Sequence, residues 1–222
     1  MMPAPATPDS MAAPYARRTS SDEQGDTAAE RRADLRAMAA WLTGRFSGRR
    51  MLELACRTGW WTPHGAADAA HRRATDLNPE AMAVAPAKPA MPASVCVQTV
   101  DACTLAGPDD EPFDAAVAGC WWSHAPLNRL PAWLARLNGR LLPGATVVTM
   151  DNRLVPASST PISRSDAEGN PYPLRSLDDG SRHAVLKNCP TADQAIAALG
   201  RHVRDPQWTV WPHSWALSGR VA

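Results

Sequence analysis

Three carboxylates punctuate the first half of the chain: Glu53 within Met51-Leu52-Glu53-Leu54-Ala55, Asp76 in ATDLNPE about twenty residues further on, and Asp101 after VCVQTV. The first lies at the end of an apolar run that gives way to turn-forming residues up to Gly59 and then to a helical segment. A strand, a tight loop and a helix in that order present backbone N–H groups beside a carboxylate. With small Ala55 and Gly59 letting a ligand approach the backbone, this chemistry suits a polar nucleoside, and Asp76 stands where a carboxylate accepts from ribose hydroxyls. A second group of chemically capable side chains is Cys120-Trp121-Trp122-Ser123-His124. Aromatic rings there can enclose an apolar acceptor or simply pack, and a histidine of ordinary pKa near ~6.5 can either accept a proton or help to begin a helix. Ser123 and His124 lack a G-x-S-x-G setting, so hydrolase chemistry is unsupported.

These residues need a parallel sheet to position them. Ala28 to Phe46 carries apolar residues at three- and four-residue intervals (Leu35, Met38, Ala39, Leu42, Phe46) and predicts an amphipathic helix. A helix is expected around Trp61 to Ala70, and Asn78-Pro79 starts another that Pro86 ends. Val95 to Val100 and the wholly apolar Ala115 to Gly119 predict the third and fourth strands, with the ligand crevice beyond their C-terminal ends. Leu127, Leu130, Leu134, Leu137 and Leu141 mark a helix stopped by Pro143-Gly144, and Ala145 to Met150 is the fifth strand. Tyr172 to Leu177 and His183 to Asn188 flank Asp178-Asp179-Gly180, a hairpin signal. Thr191 and Gln194 form a capping box, and Trp208 to Trp211 and Ser214 to Gly219 supply the last strands. The expected fold is α/β: a Rossmann-like, mostly parallel seven-stranded sheet with an antiparallel end strand, helices on both faces, and a β-hairpin insertion at about 153–190. Residues 1–26, rich in Ala, Pro, Ser and charge, are expected to be a disordered or flexible arm ahead of a single domain over 27–222.

The loop does not match the G-x-G-x-x-G of nicotinamide enzymes, having Ala55, Arg57 and Trp60 at those positions. It resembles motif I of the class I, Rossmann-like S-adenosylmethionine-dependent methyltransferases, E/D-x-G/A-x-G-x-G: Glu53, Ala55 and Gly59 match and Arg57 departs. ATDLNP, VDA, FDAAVAG and LLPGATVV follow in the family's order and spacing, so the resemblance spans residues 50 to 150 and is to the bacterial small-molecule type. It implies S-adenosyl-L-methionine as cofactor, with Asp76 on the ribose, Glu53 toward the methionine ammonium, Asp101 and the Ala102 N–H on the adenine edge, and Leu77 on its face. Ala55, Cys56, Arg57, Gly59 and Gly119 are then the backbone of the cofactor channel. Tyr15 resembles a tyrosine that folds over the methionine end in related enzymes. Tyr15, Trp121, Trp122 and Tyr172 are the candidates for the acceptor pocket and His124 for the base. The resemblance implies methyl transfer to a small molecule, at O or N rather than C; the alternative is a degenerate, non-enzymatic binding or interaction protein with this fold.

Composition agrees with a small-molecule partner. With 23 basic and 22 acidic side chains the net charge is +1, so no general basic field exists to hold nucleic acid. No stretch approaches the ~20 apolar residues of a membrane helix, no signal-peptide core precedes the domain, and the expectation is a cytoplasmic monomer or homodimer. Five cysteines without a C-x-x-C pair argue for reduced thiols and against a metal site.

Overall fold

The structure is a computed structural model that describes residues 29–88, 91–93, 95–106, 111–176 and 180–222. The N-terminal arm with Tyr15, and Asp178 and Asp179 of the expected turn, lie outside the described residues. Seven strands form one sheet in the order β3-β2-β1-β4-β5-β10-β9: β1 (Arg50–Leu54), β2 (His71–Asp76), β3 (Val95–Thr99), β4 (Phe113–Gly119), β5 (Leu141–Asn152), β9 (Val203–Val210) and β10 (Ser214–Val221). β1 to β5 are parallel, and the one reversed strand, β10, is inserted between β5 and β9. The order turns around at β1 and β4, and a crevice at their C-terminal ends follows from the connections running off in opposite directions.

Strand periodicity divides the core in two. Leu52, Leu54, Ala116, Ala118, Val147, Trp215 and Leu217 pack on one face beneath α4 (Leu130–Asn138) and α5 (Ala192–Leu199). Met51, Ala115, Val117, Val148, Met150 and Ala216 pack on the other with Met38 and Leu42 of α1 (Ala29–Leu42), Phe46, and Ala66 of α2 (Thr62–Ala66). A short α3 (Pro79–Val84), capped by the Asn78 side chain on the N–H groups of Glu80 and Ala81, contributes Met82 to a small cluster with Cys56 and Ala74. α5 has the full capping box, Thr191 and Gln194 each bonding the other's backbone.

Two expectations change. The helix after β4 ends at Asn138, and β5 already begins at Leu141 and runs through Pro143-Gly144, which does not stop the helix. A register shift opposite Phe113 and Ala115, with Gly144 at φ 78°, lets the proline sit at a bulge where a ladder N–H is not required. The insertion is also larger than a hairpin. β7 (Pro171–Ser176) and β8 (Arg182–Ala184) pair as expected, but β6 (Ile162–Ser165) joins β7 to make a separate three-stranded antiparallel sheet. That sheet is fastened to the main one by two buried asparagines: Asn188 Nδ2 donates to the Ala125 carbonyl at 2.7 Å and Asn170 Oδ1 accepts from Leu127 N at 2.8 Å.

Candidate functional site

β1 ends in a loop built on alternating left-handed residues, Ala55 (φ 53°), Arg57 (φ 51°) and Gly59 (φ 74°). Only the last is glycine, so two side chains are held where L-residues cost ~1–2 kcal/mol each. What holds them is visible. The Arg57 N–H donates to Asp76 Oδ2 at 2.9 Å, the Cys56 N–H to the Thr75 carbonyl at 2.9 Å, and the Gly59 N–H to the Cys56 carbonyl at 2.8 Å. Asp76 Oδ1 accepts from the Asn78 N–H at 2.8 Å, which fixes the carboxylate between β1's loop and the start of α3. Each of its oxygens retains accepting capacity. Leu77 beside it is 53% exposed, and Asp101 at the end of β3 holds one oxygen on the Cys103 N–H at 2.8 Å.

Glu53 points inward from β1 and is 2% exposed. Burial pushes its carboxyl up to about 7; the Thr62 hydroxyl pulls the other way and the nearby Asp76 charge adds to the rise. Among the described residues neither Glu53 Oε2 nor Thr62 Oγ1 completes a hydrogen bond. The Cys56 side chain belongs to the core cluster with Ala74 and Met82, and burial followed by the Glu53 and Asp76 charges raises its thiol pKa, so only its backbone faces the loop. Gly119 is needed for packing: a Cβ there would lie 2.4 Å from the Trp61 ring, which covers the end of β4. The Ala102 carbonyl is engaged by Trp133 Nε1 at 2.8 Å.

The tryptophans after β4 are buried. Trp122 is 1% exposed and packs edge-on against Trp133 and Trp215, while Trp121 stacks on Trp133 at 4.3 Å. Both fill the core under α4, where a large ring gains most by burial. Tyr172 is likewise buried and gives its hydroxyl to Asp166 Oδ2 at 3.0 Å. His124 sets Nδ1 on the Leu186 carbonyl at 2.8 Å. Desolvation, then the charge of Lys187, lowers its pKa to about 3 against the pull of Asp151, so the ring is neutral and a weak base near neutrality.

Sequence reasoning passed over the polar centre beneath these residues. Asp151, fully buried near the end of β5, accepts from the Ser123 N–H at 2.8 Å, the Asn152 N–H at 2.7 Å and Lys187 Nζ at 3.1 Å. Lys187 also donates to Ser123 Oγ at 2.7 Å. Desolvation raises the Asp151 pKa, but the charges of Lys187 and His124 and the two N–H donors outweigh it and bring it below the usual value. Above this pair lies a cavity of about 340 Å³ between the end of β5, residues 153–162 and β7, lined by Arg31, Arg153, Arg175 and Lys187 together with Asn152 and the hydroxyl side chains of residues 158–160.

No family model matches the chain, and no curated protein matches its sequence. Solved structures do match. DhpI in complex with SAH has 22% identity and a TM-score of 0.76, with 96% of each chain covered. A DhpI–SAM–HEP complex has 21% identity and a TM-score of 0.77 over 99% of this chain and 100% of that one. This chain has the fold of the class I S-adenosylmethionine-dependent methyltransferases. The N-methyltransferase NodS from Bradyrhizobium japonicum, solved with S-adenosyl-L-homocysteine, shares that methyltransferase fold at 15% identity and a TM-score of 0.64, covering 94% of this chain and 97% of its own.

Within the methyltransferase fold the predicted residues separate into two groups. Glu53, Ala55, Arg57, Gly59, Asp76, Leu77 and Asp101 come together along the C-terminal edge of β1, β2 and β3. Trp121, Trp122 and Tyr172 go to the interior. Asp151, Lys187, Arg153 and Arg175 could have been found only from pairing across the insertion, since Asp151 and Lys187 are far apart in sequence and no local pattern joins them. Among the described residues no group of His, Cys, Asp and Glu is disposed to hold a metal ion, and no helix is long and apolar enough to cross a membrane.

Proposed function

We propose that the chain is an S-adenosylmethionine-dependent methyltransferase acting on an O or N atom of a small-molecule acceptor in the cytoplasm, without nucleic acid or membrane as partner. The observation that carries this reading is the convergence of Glu53, Asp76 and Asp101 on one sheet edge around a left-handed loop. The residues present fit the cofactor. Asp76 would accept from the two ribose hydroxyls, Asp101 would face the adenine edge with the exposed Leu77 against the ring, and the unsatisfied Glu53 Oε2 would answer an ammonium, directly or through water. When bound, the cofactor would supply a methyl on a sulfonium, already activated for transfer to an acceptor lone pair.

The chain's own part is to bind, align and exclude water. Asp76 is already oriented by two backbone N–H groups, so little freedom is lost on binding. Trp61 closes the end of β4. His124 is held neutral on the Leu186 carbonyl, so in this reading the acceptor proton would pass to solvent. Arg57 adopts the left-handed conformation that glycine takes elsewhere in this loop type, which supports a competent loop over the degenerate alternative. Calorimetry with S-adenosylmethionine tests the cofactor site: Asp76→Ala is expected to weaken binding about tenfold or more. Unchanged affinity would exclude it. Transfer of a labelled methyl to small-molecule fractions separates an enzyme from a binding protein.

A further inference from the structure

We propose that Thr62 is a positioning residue: its hydroxyl hydrogen-bonds the ionised Glu53 side chain and sets it to receive the ammonium at the methionine end of the cofactor, so that binding selects for an amino group. The proposal rests on the methyltransferase reading for the ligand; the bond between the two side chains stands on its own. Glu53 and Thr62 are 2% and 1% exposed, and among the described residues Glu53 Oε2 and Thr62 Oγ1 are both without a hydrogen bond. A buried polar atom left without a partner carries the full cost of its desolvation, so each one calls for an explanation. The Thr62 hydroxyl is near enough to draw the Glu53 carboxyl pKa downward, against the larger effect of burial. The two atoms therefore belong to one polar point beneath the cofactor loop.

The surroundings leave the hydroxyl for this task. Thr62 opens α2, where a threonine commonly turns its oxygen to a backbone N–H, yet it makes no such bond. A Cβ on Gly59 would stand 3.3 Å from Thr62 Oγ1, which places the oxygen against the underside of the loop. Glu53 is fixed from the other side: its carbonyl accepts from Thr75 Oγ1 at 2.8 Å, and β1 pairs it with Ala74 of β2 and Val117 of β4. The titratable groups that face it are Asp76 on β2, whose charge adds to the rise of its pKa, and the Cys56 thiol, which is itself raised and stays uncharged; His64 of α2 packs against the Trp61 ring. A carboxylate offers about four acceptor sites, so Glu53 can take the Thr62 hydroxyl and an ammonium N–H together. Donation from the hydroxyl favours the ionised carboxylate, the form that an ammonium requires.

The test is calorimetry on the full chain with two probes, S-adenosyl-L-homocysteine and its deaminated analogue, in which a keto oxygen replaces the amino group. The native chain, Thr62→Val, Thr62→Ser and Glu53→Gln are compared at about pH 6 and about pH 8.5, and the Glu53 carboxyl is titrated by carbon-13 NMR without ligand, its signal assigned by its loss in Glu53→Gln. Thr62→Val is expected to weaken S-adenosyl-L-homocysteine binding about tenfold at the lower pH and about threefold or less at the higher, where Glu53 ionises without help. Its affinity for the deaminated analogue should stay within about twofold, which also shows that the variant folds, and its Glu53 titration should move upward. Thr62→Ser, which keeps the hydroxyl, should restore all three. Added to Glu53→Gln, Thr62→Val should cost less than about twofold more, because the hydroxyl acts through Glu53. Unaltered S-adenosyl-L-homocysteine affinity in Thr62→Val, equal loss of both probes, a loss that Thr62→Ser does not recover, or a Glu53 titration that stays where it is overturns the proposal. If S-adenosyl-L-homocysteine does not bind the native chain while Thr62→Val still moves the titration, the methyltransferase reading falls, the ammonium role falls with it, and the bond between the two side chains stands.

Discussion

Glu53 and His124 respond to pH in opposite directions, and the difference can be read as folding stability. The folded Glu53 carboxyl is raised from 4.5 to about 7, so the native state binds an extra proton between those values. Its stabilising contribution is present below pH 4.5 and is lost as pH rises towards 7. For one proton the slope is roughly 1.4 kcal/mol per pH unit, giving about 3 kcal/mol over the interval. His124 is lowered from 6.5 to about 3, so there the unfolded state binds the extra proton. Its contribution is present above pH 6.5 and is lost as pH falls towards 3. Between pH 4.5 and 6.5 the two slopes oppose one another. Replacing one group exposes the other. Urea unfolding of the apoprotein, Glu53→Gln and His124→Gln across this range is the assay, and the difference between native and variant at each pH removes every other titrating group. Native minus Glu53→Gln should fall by about 3 kcal/mol from pH 4.5 to 7, while native minus His124→Gln should rise. Differences that do not change with pH would show that these side chains are solvated in the folded chain, and the electrostatic reading of both would be wrong.

The other predictions follow from the same network. Cofactor binding at pH 6 should release protons, since an ammonium beside Glu53 restores its ionised form; calorimetry in buffers of different ionisation enthalpy measures the number, and none released separates Glu53 from the ammonium. Lys187→Met should cost about 3–5 kcal/mol by stranding Asp151, whose side chain is 0% exposed, and the double variant with Asp151→Asn should recover much of it in a urea cycle. Arg57→Gly should raise the melting temperature by about 1–3 °C: relief of ~1–2 kcal/mol at φ 51° outweighs the greater freedom of glycine in the unfolded chain, and a lower melting temperature would mean that the Arg57 side chain holds the loop.

Most of the sheet could be read from the sequence because its cause is local. FDAAVAG and MLEL are apolar runs bounded by turns, and their alternate residues do supply the two opposite core faces. Glu53, Asp76 and Asp101 share one sheet edge for a related reason: each sits near the end of its own strand, so short-range order places it. β6 was not legible. Ile162-Ser163-Arg164-Ser165 has no buried face, with burial falling only on the third residue in part, and it becomes a strand because β7 is there to pair with it. The packing of the tryptophans was not legible, because a ring that can meet a ligand can equally fill a core, and which neighbours it gains depends on α4 being above them.

The basic pocket was hidden for a further reason, which bears on how function is built here. Arg31, Arg153, Arg175 and Lys187 come from α1, the end of β5, β7 and the segment after β8, and each is an unremarkable surface-type residue in its own neighbourhood. What gathers them is the docking of the small sheet through Asn170 and Asn188, two buried amides whose bonds reach across to the segment after β4. A single Lys187 then does two jobs with one ammonium: it neutralises Asp151, which holds the Ser123 backbone, and it sets one charge in the wall of the cavity. The end of β5 and the insertion are therefore joined by one buried ion pair. Substitutions that loosen the small sheet should consequently reach the shape of the cavity and folding stability together, while Asp76 and its loop, held by β1, β2 and α3, keep their geometry.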